Sequence, residues 1–176
     1  MIFEPTPLPD SFLITPERLR DERGFFARTF CRNDFEAHGL NSNVAQCNIS
    51  VSSRRGTLRG MHYQRPPHAE AKLIRCTAGA IYDVIIDLRP SSPAFRKHFG
   101  VRLEPSDDRM LYVPEGFAHG FLTLENESAV FYQMSQTYVP SHAAGVRWND
   151  PAFGVAWPFE PTVMAERDRT YPDFRG

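Results

Sequence analysis

The residues with most chemical potential in this chain gather around two histidines, His62 in "RGMHYQ" and His119 in "PEGFAHGF". A histidine among apolar residues is a metal ligand, a hydrogen-bonded core group or a base. Its unperturbed pKa of about 6.5 suits proton transfer at neutral pH. A transition metal needs three or four N or O ligands at about 2.0–2.2 Å. Beyond the two histidines the sequence offers Gln64, where a further ligand would stand, and His68 and Glu70 in the Pro-rich "RPPHAEAK". That set is thin, and no metal is expected. A lone histidine reads most simply as core. Arg59, Lys72 and Asp83, however, also fall inside expected strands, where an unpartnered charge is costly to bury. Such a cluster points to a binding cavity, with His62 as a candidate general base.

The elements that must position these residues are strands. Short apolar or alternating runs at 11–15, 24–30, 44–52, 57–64, 71–77, 81–89, 97–104, 109–113, 119–124 and 129–138 are separated by turn formers such as "SRRG", "TAGA", "EPSDD" and "ENES". Strands at this spacing form a sandwich or barrel, and an all-β jelly roll is the fold expected. In "IYDVIIDLR", Tyr82, Val84, Ile86 and Leu88 alternate with Asp83, Ile85, Asp87 and Arg89. Both faces are partly apolar, as in a strand covered on each side. One short helix is expected over 33–40, capped by Asn33 and ended by Gly39. Beyond 140 the strand pattern stops, and "VRWNDPAFGVAWPFEP" reads as a packed tail.

Composition narrows the function classes. The 176 residues suit a single domain over 1–176. A formal net charge of −1 with no basic run excludes a general nucleic-acid binder. No stretch approaches the roughly 18 apolar residues of a membrane span. The start "MIFEPTPLPDSF" lacks a basic flank and apolar run, so the cytoplasm is expected. Cys31, Cys47 and Cys76 are odd in number and without a C-x-x-C pair, which argues against a disulfide framework or structural zinc.

Two stretches resemble the paired motifs of cupins: the Gly-led "GTLRGMHYQ" and the P-x-G-x-x-H of "PEGFAH". The metal-binding H-x-H of that superfamily is replaced here by His62 and Gln64. More specifically, "DERGFFARTF", "QCNISVSSRRGTLRGMHYQ", "AKLIRCTAGAIYDVIIDLR", "MLYVPEGFAHGFLTLE", "VFYQMSQTY", "GVRWNDPAFGVAWP" and "MAERD" resemble, in order and spacing, the dTDP-4-dehydrorhamnose 3,5-epimerase family. The resemblance implies a cupin-type jelly-roll barrel with short peripheral helices. It also implies a homodimer with strands exchanged between subunits, no cofactor, and epimerisation of a nucleotide-linked 4-keto-6-deoxyhexose at C3 and C5.

By that resemblance His62 is the base, Asp168 the carboxylate that orients it, Tyr132 the acid and Lys72 the stabiliser of the enolate oxygen. Arg23 and Arg59 match phosphate contacts, Gln46 and Asn48 hold the nucleotide end, and Tyr138 stacks on the base. Asp83 and His119 form a further pair, and Arg167 joins the substrate-binding set. Regular strand geometry sets Arg59 and His62 on opposite faces, a conflict that a bulge at Gly60 would resolve. The chain departs from the family pattern at Arg28 and Ala143, where glutamates are usual near the nucleotide, at "QM" after Tyr132, and at Arg167 in place of lysine. dTDP is the expected nucleotide, with CDP and GDP as alternatives. The rival functions are a single-centre epimerase, a 3,4-ketoisomerase, a non-catalytic sugar-nucleotide binder and a metal oxygenase using His62 and His119.

Overall fold

A computed structural model describes residues 1–175. From the N-terminus the chain forms β1 (Ile2–Pro5), β2 (Phe12–Thr15), β3 (Arg18–Asp21), β4 (Gly24–Ala27), α1 (Arg32–Ala37), β5 (Gln46–Ser52) and β6 (Thr57–Gln64). It continues through β7 (Lys72–Ala78), β8 (Ile81–Asp87), β9 (His98–Leu103), β10 (Met110–Val113), β11 (Phe117–Thr123) and β12 (Ser128–Met134). The last elements are β13 (Ala143–Gly145), β14 (Val163–Met164) and α2 (Glu166–Arg169).

Two sheets face each other, one ordered β1-β2-β10-β7-β12-β5 and the other β13-β6-β11-β8-β9, with β14 added in parallel beside β6. All other pairings are antiparallel. This is the all-β jelly roll expected from the strand spacing. The inner faces of both sheets share one core, to which β7 gives Ile74 and Cys76, β8 Ile81 and Ile85, β11 Phe117 and Phe121, and β12 Val130. Packing two apolar faces about 10 Å apart removes both from water.

Each sheet is also covered outside. Phe35 of α1 packs with Leu73, Met110 and Tyr112 against the first sheet. The tail from Val146 onward, with Phe153, Trp157 and Phe174, covers Met61, Val84 and Ile86 on the second. Asp150 is 2% exposed and pins this tail, accepting the backbone N–H of Ala152 at 2.9 Å and of Phe174 at 2.6 Å. The two apolar faces of β8 therefore serve two cores, as its alternation implied.

Several elements differ from expectation. The tail is not strandless, since β13 and β14 both pair with β6. They are too short for an alternating signal to register. The run expected at 24–30 ends at Ala27 and forms no part of either sheet: it pairs with β3 as a separate hairpin. α1 starts one residue before Asn33, with Cys31 at its N-cap position. Burial of Phe35 sets the helix phase. Gly39, at φ +71°, follows the helix end as expected.

Candidate active site

One end of the shared core is polar. Inward-facing positions on β7 run Lys72, Ile74, Cys76, and on β12 Met134, Tyr132, Val130, so the reactive groups collect where both strands meet the same end. There a cleft of ≈ 220 Å³ is lined by residues that include Asn48, Arg59, His62, Lys72, His119, Tyr132, Tyr138 and Arg167.

His62 and Arg59 share this cleft because of an irregularity. Across β6 and β11, His62 pairs with His119 but Arg59 pairs with Phe121, so β6 carries one extra residue between them. Gly60 lies in that bulge at φ +139°, and a Cβ there would stand 2.5 Å from the Gly120 Cα. Two glycines back to back let the strands approach, and the bulge turns Arg59 to the side of His62. Arg59 is exposed at the cleft mouth, not buried as its strand position suggested. Its Nε donates to Ser52 Oγ at 3.1 Å and Nη2 to the Val51 carbonyl at 3.2 Å.

His62 Nε2 lies 2.7 Å from Asp168 Oδ1, and the backbone N–H of Gly60 donates to Asp168 Oδ2 at 3.3 Å. α2, in the tail, thus brings a carboxylate to the bulge. Arg167 Nη2 is also 3.2 Å from His62 Nε2. A guanidinium only donates, and the shorter contact to the carboxylate claims the Nε2 proton, so Arg167 acts as a neighbouring charge rather than a partner of the ring. Burial would raise the Asp168 pKa. The hydrogen bond and charge of His62, the Gly60 N–H and the Arg167 charge outweigh that and hold it below the ordinary carboxylate value.

Behind His119, Asp83 is fully buried, its carboxylate oxygens 2.9 and 3.0 Å from Nε2. Asp83 therefore supports His119 and does not itself line the cleft. Tyr132 has its ring centroid 6.2 Å from that of His119, edge to face. Burial pushes its phenol pKa well up, and the Asp83 charge adds to this, so the hydroxyl keeps its proton across the working range. Lys72 is buried beside Glu70, at 3.0 Å, and donates to the His62 carbonyl at 3.2 Å.

Gln46 does not line the cleft. Its Oε1 accepts the backbone N–H of Tyr138 at 2.9 Å and so holds the aromatic at the mouth. Gln64, which stood where a metal ligand would, does similar work: it accepts from Val139 N and donates to the carbonyls of His68 and Thr137. Its place two residues after His62 on one strand was the available signal. Among the described residues no three His, Cys, Asp or Glu side chains converge as a ligand set.

Two expected residues lie elsewhere. Arg23 sits at the tip of the β3–β4 hairpin, 83% exposed and bonded to Asp21. Arg28 borders a separate recess with Leu19, Phe26 and Asp34. Of the two departures placed near the nucleotide, only Ala143 is at the cleft of its own chain.

The family model for dTDP-4-dehydrorhamnose 3,5-epimerase matches residues 5–176. The chain belongs to the dTDP-4-dehydrorhamnose 3,5-epimerase family. Among curated members, the dTDP-4-dehydrorhamnose 3,5-epimerase of Sinorhizobium fredii (strain NBRC 101917 / NGR234) is 38% identical over 173 residues, spanning 98% of this chain and 89% of its own. Among solved structures of the epimerase family, that from Elizabethkingia anophelis superposes with a TM-score of 0.96 at 37% identity, covering 99% of this chain and 96% of that one. The Bacillus anthracis enzyme, solved with TDP and PPi bound, gives 0.93 at 39%, covering 98% and 99%.

Proposed function

We propose that this protein epimerises a dTDP-linked 4-keto-6-deoxyhexose at C3 and C5, with His62 as base and Tyr132 as acid. Membership of the epimerase family supports the reaction class and the dTDP-sugar substrate. The observation that carries the residue roles is the His62–Asp168 contact at the wall of a cleft that also holds Lys72 and Tyr132. The C4 ketone acidifies the hydrogens on both neighbouring carbons. His62 takes one as a proton, the C–H pair becomes the C=C bond of an enolate, and the carbonyl π pair moves onto O4. Lys72 stabilises that oxygen electrostatically. Tyr132 then gives its proton to the carbon from the other face, inverting it. His62 releases its proton to water and Tyr132 regains one, so each inversion brings in a solvent hydrogen.

Arg59, Asn48, Tyr138 and Arg167 line the path for the diphosphate and nucleotide, with bidentate guanidinium suited to phosphate oxygens. Arg23 completes this set from a second copy of the chain. In support, the β3–β4 hairpin stands off both sheets with Leu19, Phe25 and Phe26 exposed, and the edge strand β5 exposes Ile49 and Val51. A homodimer that lays one subunit's hairpin on the other buries these groups. No helix among the described residues is long and apolar enough to cross a membrane. We read the reaction as cytoplasmic, because a charged nucleotide diphosphate does not cross a bilayer unaided.

Incubation in D2O with the 4-keto-6-deoxyglucose of dTDP, CDP or GDP, followed by NMR, tests the reading. Deuterium entering C3 and C5 of the dTDP sugar is expected. Entry at one carbon makes the protein a single-centre epimerase, movement of the carbonyl a 3,4-ketoisomerase, and no exchange with any nucleotide a binder.

A further inference from the structure

Lys72 reaches the cleft with its charge already matched. Its ammonium is 3.0 Å from Glu70 Oε1 and donates to the His62 carbonyl, and both members of the ion pair are only 7% exposed. An ammonium has three N–H groups. With two directed at the protein, the third has a defined direction, which a lysine's flexible stem would not otherwise give it. The loop carrying Glu70 is itself held, since Ala71 N donates to Ser135 Oγ at 2.8 Å and Ser135 N to the Ala71 carbonyl at 2.9 Å.

The other charged and titratable groups around the cleft are committed, cationic or, as with Tyr63 and Tyr138, phenols. From β6 come His62, bound to Asp168, and Arg59; from β11 comes His119, backed by Asp83 of β8; from α2 comes Arg167; from β12 comes the protonated Tyr132. The carboxylate that meets Lys72 is Glu70. Without it, the ammonium would stand buried among other cations with no counter-charge to fix its place.

We propose that Glu70 is the positioning residue of Lys72: it supplies the buried counter-charge that fixes the ammonium in place and aims the remaining N–H into the cleft, toward the enolate oxygen. The assignment rests on the epimerase reading above. Glu70 does not touch the sugar, and its effect passes through Lys72.

Two substitutions separate aim from charge. Glu70→Gln keeps an acceptor oxygen and removes the charge, whereas Glu70→Ala removes both. Glu70→Ala is expected to lower kcat about 10–100-fold with KM nearly unchanged, because an aimed donor acts at the developing oxyanion. Glu70→Gln recovers most of that loss at neutral pH. In a Lys72→Met background Glu70→Ala adds nothing further.

A loss from Glu70→Gln as large as that from Glu70→Ala, or an equal loss from Glu70→Ala with and without Lys72, overturns the proposal. If Glu70→Ala does not fold, Glu70→Gln decides it in the same two backgrounds: a fall in kcat that vanishes in Lys72→Met supports the assignment, and an equal fall in both overturns it. A wild type that exchanges no deuterium fails the epimerase reading and takes the role of Glu70 with it. A wild type that exchanges normally, beside variants that match it, fails the Glu70 assignment alone.

Discussion

His62 commits Nε2 to Asp168, and so the nitrogen left to take a proton is Nδ1. The carboxylate serves two donors, with one oxygen for the ring and one for the Gly60 N–H. An amide has a single oxygen, so Asp168→Asn leaves one of them facing an NH2 group. We expect Asp168→Asn to slow deuterium exchange about 10²–10³-fold, and His62→Ala to cost about 10²–10⁴-fold, the range of a general base. Tyr132→Phe should separate the two half-steps: exchange persists while inversion falls, because abstraction survives and opposite-face delivery does not. Equal inversion by Tyr132→Phe and wild type would remove the phenol from the mechanism. The same pair sets an acid limit. Because the folded pKa of Asp168 is depressed, its contribution to stability is full above the unfolded value of about 3.9 and is lost as pH falls through the lower folded one. Urea melts of the wild type between pH 5 and pH 2, values chosen to span that window, should therefore lose more stability than those of Asp168→Asn.

The bulge in β6 belongs to the scale of the element. Gly60→Ala meets two costs, a φ of +139° and a Cβ driven against the Gly120 backbone, while Gly24, at φ +126° with nothing near its Cβ, meets only the first. Strain of this kind is worth about 1–3 kcal/mol. Gly60→Ala should thus lower the urea midpoint by clearly more than Gly24→Ala and weaken exchange as well, since the bulge holds both Arg59 and the Asp168 contact. Equal losses would mean that the approach to Gly120 can relax. This element also shows what was legible in sequence. The boundaries 57–64, the conflict between Arg59 and His62 and the glycine that resolves it all lie within one strand, where alternation can be read. The partners that complete the site do not: Asp168 reaches His62 through a two-strand, one-turn tail with no periodic signal, and that link entered through family resemblance. Gln46 and Asp83 stand behind residues of the cleft and not in its wall, because a sequence shows which face a side chain takes and not what stands between it and the cleft.

At the scale of the whole molecule, Arg23 poses the remaining question. Its guanidinium is held by Asp21 on a hairpin that pairs with neither sheet, so within one chain it stands outside the cleft that Arg59 lines. If a second copy supplies it, the site is shared, and two defects on different chains complement each other. Arg23→Ala and His62→Ala homodimers should each be deficient. In a mixed dimer one site pairs the intact His62 of one subunit with the intact Arg23 of its partner, and the other site carries both defects. Co-expression with two affinity tags, purification through both and an assay of deuterium exchange should then recover about half the wild-type rate per dimer, as two-fold symmetry dictates. An Arg23 acting on its own subunit's cleft predicts no recovery, because every site in the mixed dimer then carries one of the two defects.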